Sequence, residues 1–534
     1  MRLLCLCLLL LTMGIAGASP LGDGLEKLKG ANFKLKAAAV DTIADSADPR
    51  AGEVLQSLLD GRLYARRSDG RVVIVTDATA SPGLLDATSG EALGSAPKSE
   101  LKKIAINNQM RIALRAAMAR LDLRHPDRAT RLAAVTALAA APSEAVRATL
   151  TRMLPAEQDA AVREAMTVVL GLVDLSAPTA QARLAAVEAV RGSMLGEVRN
   201  RLATLLESAA DGRPREPEAS VRMAAAAAIR DIDATRARYE FIETLFFGLS
   251  LGFVLVLAAT GLAITFGVMG VINMAHGELM MLGAYTVYVV QQLMPNQLEW
   301  SMAVAIPAAF LVAAAVGILI ERGVVRFLYG RPLETLLATF GISLFLQQTV
   351  RSIFSPLNRA VSTPEWMSGQ IVLGEALALT ANRVYIIVFS VLVFAALLAL
   401  LRYTPLGLQV RAVAQNRSMA RAMGVRAGWI DAMTFGLGSG VAGLAGVALS
   451  QLTNVGPNLG QAYIIDSFMV VVFGGVGNLW GTLVAGLGLG VANKFLEPYA
   501  GAVLAKILVL VFIILFIQKR PRGLFPQRGR SAEA

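Results

Sequence analysis

Residues 267–285 read GVMGVINMAHGELMMLGAY and lie inside an otherwise apolar run, with Glu243 the last charge before them and Glu278 the next. Asn273, His276 and Glu278 thus fall within six residues of a membrane-length segment. Polar groups at bilayer depth are costly and face a bundle interior or an aqueous path. On a continuous helix Asn273 and His276 are i, i+3 neighbours, with Gly277 one step further on the same face. Gly270 and Gly277 would let a second helix approach that face closely. Two readings stand side by side. Either these side chains bond a neighbouring helix and fix packing, or they line a route for solute.

The rest of the chain supplies the setting. It has 534 residues, 55% hydrophobic and 17% charged, with mean hydropathy +0.57. Soluble domains carry about a quarter charged residues, so a large share of this chain belongs in lipid. The net charge of +11 comes from scattered arginines. Basic loops beside membrane spans explain it better than a nucleic-acid patch, which interleaves aromatics. The first residues, MRLLCLCLLLLTMGIAGASP, combine one Arg, an apolar core and Ala16-Gly17-Ala18. That pattern predicts a signal peptide over 1–18. Both cysteines, Cys5 and Cys7, fall inside it, which excludes disulfides and cysteine-ligated metals from the mature chain.

Residues 19–238 form an Ala- and Arg-rich region without a membrane-length apolar run. A motif recurs as TRLAAVTAL, AVRATLTRM, AVREAMTVV, ARLAAVEAV, EVRNRLATL and SVRMAAAAA, carrying Arg131, Arg147, Arg163, Arg183, Arg199 and Arg222. Each step accommodates one helix and a turn, so two steps make a helical hairpin a little shorter than a HEAT repeat. The expectation is an exported, periplasmic α-helical repeat domain. The stretch RLYARRSDGRVVIVTDA (62–78) differs and reads as a small hairpin. Solenoids offer concave docking surfaces, yet an Ala-rich one also packs against itself, and both roles stay open. His125 reads as an exposed turn residue, not a metal ligand.

From residue 244 charge-free runs cover 244–277, 279–298, 300–320, 335–350, 384–401, 432–465, 467–493 and 507–518. A spanning helix takes about 20 apolar residues, so the first and sixth runs leave slack for breaks. Basic residues gather at 321–331, 402–426 and the tail, and the positive-inside rule places all three in the cytoplasm. An exported N-terminal domain and a cytoplasmic tail require an odd number of crossings. Eight runs therefore imply a ninth pass or a re-entrant segment, with 463–475 the candidate. The predicted architecture is all-α, with a polytopic inner-membrane domain over 239–520 and a basic tail over 521–534.

Two further stretches carry chemistry. RYTPLGLQVRAVAQNRSMARAMGVRAGW (402–429) predicts short helices with Val410, Ala414, Ala420 and Met423 inward and Arg411, Gln415, Arg417 and Arg421 outward. The Gly-rich stretch 453–498 contains the GxxxG pair Gly486 and Gly490, and Asn478 at a break between apolar runs. Half-helix ends at such a break meet polar solutes, although packing explains most of its glycines. No GxxxxGK[ST] or H-E-x-x-H motif occurs, and GLSLG (248–252), which has G-x-S-x-G spacing, lies inside a membrane-length apolar run and not at a strand-to-helix elbow. The chain reads as a conduit without cofactor or metal, not as an enzyme.

GVMGVINMAHGELMMLGAY, LATFGISLFLQQ (337–348), TPLGLQVRAVAQNRSMARAMGV, SFMVVVFGGVGNLWGT and QKRPRGLF together resemble permeases of the branched-chain amino acid ABC importer family, in order over about 240–526. Within it the chain looks most like the first permease subunit of urea importers. The AVAQNR loop, the NVGPNLGQAYIIDSFMVVVFGGVGNLWGT run and the exported extension carry that likeness. Amino-acid permeases of the family tend to place an acid where this chain has Gln415 or Asn416. The resemblance implies a second permease subunit, two cytoplasmic ATPases and a periplasmic solute-binding protein. It makes Arg411, Gln415, Asn416, Arg417 and Gly424 coupling positions toward an ATPase. Asn273, His276, Glu278 and Asn478 are the candidate solute-path residues. The alternatives are an amino-acid or short-amide importer, or a membrane-anchored helical scaffold. An enzyme using His276 and Glu278 ranks last, because i, i+2 positions point to different faces.

Overall fold

Residues 20–46, 48–77, 81–208, 212–373 and 377–525 are described in a computed structural model of the chain. The expected signal peptide and the last nine residues of the tail lie outside them. Contacts divide the chain into two units, Met1–Arg236 and Ala237–Ala534.

The first unit begins with α1 (Pro20–Leu28), α2 (Phe33–Asp45) and α3 (Ala51–Leu59), followed by a sheet that the all-α expectation did not contain. Strands β1 (Leu63–Arg66), β2 (Val72–Val75), β3 (Gly83–Asp86), β4 (Ala92–Ser95) and β5 (Leu101–Lys103) pair in the order β4-β3-β2-β1-β5. The hairpin expected over 62–78 is its centre, with Leu63 opposite Ile74. The β-branched run VVIV favours strand, and all four of its residues are buried. Gly70 (φ 73°) closes β1 onto β2, a left-handed position that costs glycine little. One face of the sheet packs Leu63 and Ile74 against Leu21, Val40, Leu58 and Leu114 from the helices. Val73, Val75, Leu84 and Leu101 form a smaller cluster.

Helices α4 (Asn108–Asp122), α5 (Arg128–Ala139), α6 (Glu144–Met153), α7 (Ala160–Asp174), α8 (Ala180–Val190) and α9 (Gly196–Leu206) follow. Side-chain oxygens of Asn107, Asp127, Ser143, Asp159 and Thr179 cap five of them, satisfying amides that a helix start leaves free. The recurring arginine has a structural task. Arg131 donates to the carbonyls of His125 and Pro126 at 3.1 and 2.9 Å. Arg183 does the same to Ala177 and Pro178 at 2.9 and 3.1 Å, and Arg222 to Glu216 and Pro217 at 2.7 and 2.8 Å. Their free ends reach acids of a later turn, Arg131 to Glu157 and Arg183 to Glu216. Arg131 and Arg183 thus tie the turn before their helices to a turn further along the chain, while Arg222 holds the turn before its own helix.

Helix α10 (Ala219–Met269) starts in the first unit and ends in the second. Then come α11 (His276–Leu293), α12 (Leu298–Gly323), α13 (Pro332–Phe354), the hairpin β6 (Gln370–Leu373) and β7 (Leu377–Thr380), and α14 (Ala381–Tyr403). Two short helices, α15 (Pro405–Gln415) and α16 (Arg417–Ala422), precede α17 (Ala427–Ser450), α18 (Leu459–Gly474) and α19 (Leu479–Lys519). Helix α19 breaks at Gly501, whose φ is 76°. Among the described residues, α10, α12 (continued to Phe327), α14, α17 and α19 are long and apolar enough to cross a membrane. The segment 463–475, save its last residue Gly475, belongs to α18, a continuous helix of 16 residues. The fold is therefore mostly helical with a small sheet, not all-α. Runs of three or four residues between Gly turns show too little periodicity to announce strands.

Lipid provides no hydrophobic drive between helices, so small residues bring backbones together. Helix α17 is the buried centre, and Gly283 of α11 meets Gly443 on it. The pair Gly486 and Gly490 packs on Gly248 and Gly252 of α10. A Cβ on Gly277 of α11 would lie 2.6 Å from the Gly460 carbonyl oxygen of α18.

Candidate solute path and coupling elements

Helix α10 stops at Gly270 (φ 69°), whose amide bonds the Phe266 carbonyl at 3.0 Å, a left-handed helix terminator. Residues 270–275 are not helical, so Asn273 does not share a helix face with His276 as expected. Gly270 likewise ends a helix and has no neighbour where its Cβ would be. Asn273 is buried, and its Oδ1 accepts from the Ala275 amide at 3.0 Å. The Met274 amide donates to Thr339 Oγ1 of α13 at 3.1 Å. Helix α11 opens at His276, whose Nε2–H donates to the Ala258 carbonyl at 2.8 Å. Ala258 lies eleven residues before Met269, or about 16 Å back along α10 at 1.5 Å per residue. The start of α11 is thus held beside the middle of a membrane-length helix.

Two residues on, Glu278 points the other way, toward α13. Its Oε1 accepts from Ser343 Oγ at 3.1 Å and Gln347 Nε2 at 3.0 Å. Ser343 and Gln347 belong to a row at four-residue spacing, Thr335, Thr339, Ser343 and Gln347, all buried. Four-residue spacing keeps side chains on one helix face. The Thr335 hydroxyl bonds the Arg331 carbonyl at 2.8 Å at one end, and at the other Arg351 donates to Asn458 Oδ1 at 2.6 Å. From Thr335 to Arg351 the row runs about 24 Å, most of the roughly 30 Å of a hydrocarbon core. Glu278 Oε2, His276 Nδ1, Asn273 Nδ2 and Tyr285 Oη are buried without a hydrogen-bond partner among the described residues. The Tyr285 ring lies tilted against Phe354 of α13, ring centroids 4.8 Å apart. Such a seam offers hydroxyl, amide and carboxylate groups to a hydrogen-bonding solute. Sequence reading overlooked Thr335, Thr339, Ser343 and Gln347, although their spacing inside an apolar run was the available signal.

Asn478 stands apart from this group. Half-buried, it caps α19 by accepting from the Gly481 amide at 3.1 Å and donates to the Phe525 carbonyl at 3.3 Å. It has no hydrogen bond to Asn273, His276 or Glu278 among the described residues.

The 402–426 segment folds as two short helices. Asn416 ends α15 and caps α16, accepting from the Met419 amide at 2.9 Å, and Gly424 (φ 87°) follows α16. Arg411 donates to the Leu401 carbonyl, while its neighbour Gln415 is exposed. Arg417 turns inward, contrary to expectation. It pairs with Asp431, a fully buried carboxylate on α17, and lies 4.6 Å over the Tyr329 ring. Tyr329 in turn donates to Glu321 Oε1 of α12 at 2.7 Å. A buried carboxylate demands a partner, and among the described residues no other arginine reaches Asp431 within bonding distance. Met423, expected on the apolar face, is 79% exposed, whereas Val410, Val413 and Ala420 are buried.

The family model described as branched-chain amino acid transport system / permease component matches residues 244–517. The chain belongs to this family. It is 30% identical over 294 residues to the high-affinity branched-chain amino acid transport system permease protein LivH of Salmonella typhimurium, covering 53% of this chain and 95% of that protein. BraD of Pseudomonas aeruginosa, a permease protein of the same description, is 30% identical over 296 residues, 54% of this chain and 96% of its own. The ribose import permease protein RbsC of Escherichia coli is 28% identical over 231 residues, 41% and 68% of the two chains. No solved structure matches. This member of the family is a transport permease component of the branched-chain amino acid type, not an enzyme.

Proposed function

We propose that this chain is a permease subunit of an ATP-driven, binding-protein-dependent importer that carries urea across the inner membrane. The observation that carries the reading is the row Thr335, Thr339, Ser343 and Gln347 against Glu278. A small neutral diamide needs hydroxyl, amide and carboxylate partners at each step and no counter-charge for a zwitterion. The AVAQNR loop and the NVGPNLGQAYIIDSFMVVVFGGVGNLWGT run support the urea subfamily. Partners in this reading are a second permease subunit, two cytoplasmic ATPases and a periplasmic binding protein. Helices α15 and α16 face the ATPase, with Arg411, Gln415, Asn416 and Gly424 at the contact and Arg417 fastening it from within.

Helices α10, α11, α12, α13, α14, α17 and α18 and the two halves of α19 make nine passes. Nine puts the basic ends of α12, α14 and α19 on one side, as the positive-inside rule asks, with a HEAT-like domain exported after signal cleavage. A second reading, an amino-acid permease, is favoured by the relatives' substrates and by Arg351 beyond the Glu278 end of the seam. Uptake of labelled urea and labelled leucine, in cells lacking the gene and with it restored, separates them. Gene-dependent urea uptake with leucine unaffected supports urea. Gene-dependent leucine uptake overturns the urea assignment while leaving the family in place.

A further inference from the structure

A concavity of about 700 Å³ lies away from the seam, at the ends of α12 and α17. Arg322, Arg421, Val425, Arg426, Ala427, Gly428 and Trp429 line it, without a single acid. The nearby carboxylates are already engaged, Asp431 with Arg417 and Glu321 with Tyr329. Arg322 stands 3.7 Å from Glu321. The guanidinium groups of Arg421 and Arg426 have no ion pair or hydrogen bond among the described residues. Arg421 and Arg426, free of ion pairs among the described residues, converge with Arg322 on one concavity and leave it net positive, which suits an anion that presents several oxygens, phosphate above all.

The surroundings favour a phosphate that arrives on a lipid. Arg322 sits in the last turn of α12, a helix apolar enough to cross a membrane. Leu311 and Leu319, on the same side of that helix at 100° per residue, are 64% and 69% exposed. Trp429, 56% exposed, stands at the first turn of α17, where an aromatic ring marks a membrane–water boundary. A headgroup in the cavity would leave its acyl chains lying along the apolar face of α12. Basic pockets between spans on the cytoplasmic side are a recognised form of anionic-lipid site.

We infer that the cavity bounded by Arg322, Arg421, Arg426 and Trp429 binds the phosphate headgroup of an anionic glycerophospholipid beside the coupling helices. The inference rests on the membrane-permease reading but not on urea, and its test involves no solute.

The full-length chain is reconstituted in mixed phosphatidylglycerol and phosphatidylcholine nanodiscs, with the bromine quencher on one lipid or the other. Trp429 quenching is read as the difference between wild type and Trp429→Phe. Brominated phosphatidylglycerol should quench preferentially, with and without the ATPase subunits. The double variant Arg421→Gln/Arg426→Gln should lose the preference about 30-fold, some fivefold per arginine. Arg421→Lys/Arg426→Lys should keep most of it. Equal quenching by both lipids in the wild type overturns the inference even if the glutamine variant fails to fold. Displacement by millimolar inorganic phosphate would make the cavity a site for the free anion instead. A glutamine variant that keeps its lipid preference but no longer retains the ATPase subunits would assign the arginines to that partner.

Discussion

Gln347 Nε2 stands 3.0 Å from Glu278 Oε1. A buried amide on α13 thus holds one oxygen of a buried carboxylate on α11, whose second oxygen accepts nothing from the described residues. Glu278→Gln keeps the volume and replaces the carboxyl by an amide. If the seam handles solute, this variant should reach the membrane at normal level and import urea about tenfold more slowly, the worth of about one hydrogen bond. Normal uptake at normal expression would return Glu278 to a packing role.

His276 and Gly277 test the other function of that helix start. The Cβ of Gly277→Ala would press on the Gly460 carbonyl. Separating α11 from α18 should cost about 1–3 kcal/mol, as overpacking does, and lower the melting temperature of the detergent-purified protein. His276→Ala is expected to destabilise as well, by removing the bond to Ala258. An unchanged melting temperature for Gly277→Ala would show that the contact between α11 and α18 is looser than described, and for His276→Ala that the bond to Ala258 of α10 adds little.

Arg417 and Asp431 should behave as one unit. Arg417→Gln strands a fully buried carboxylate and should cost about 3 kcal/mol, seen as lost folded protein. Arg417→Gln/Asp431→Asn should recover most of it, leaving uptake to report whether the latch is needed for coupling. Additive losses in the double variant would contradict this pairing.

In the first unit, Arg183 holds the Glu216 carboxyl below its ordinary value, chiefly by hydrogen bonding. A carboxylate with a depressed folded value contributes stability that is full above its unfolded value and lost as pH falls through the folded one. The unit should therefore weaken as pH drops below about 4.5. Arg183→Met should destabilise it by on the order of 2 kcal/mol at neutral pH, less than a fully buried pair because solvent reaches the arginine. It should also flatten that acid dependence, as read by pulse proteolysis of the full-length protein.

The phase of the repeat arginines was legible in sequence because one helix and a turn recur. Their task was not, since Glu157 lies 26 residues from Arg131 and Glu216 lies 33 from Arg183. The sheet was visible only where Val72–Val75 supplies four β-branched residues in a row. Strands β3, β4 and β5 look like polar loops until neighbours pair with them. Apolarity carried the long helices, but the charge-free run 244–277 hid the break after Gly270. That break takes Asn273 off the helix and lets His276 and Glu278 face different partners. Arg417 was read as outward because it sits in a basic loop. The inward turn comes from Asp431, whose burial on α17 no local pattern reveals.

The seam itself is tested most directly by cysteine accessibility. The two cysteines fall within the first seven residues, so single cysteines at Thr339, Ser343 and Gln347 need little background removed. In the assembled importer, a small polar thiol reagent should modify Ser343→Cys and Thr339→Cys, and excess urea with binding protein and ATP should slow the reaction. Ile342→Cys, off the row, should show no such protection. Unreactive cysteines along the whole row, in every nucleotide state of a transporting complex, would contradict the account and leave α11 and α13 joined by packing alone.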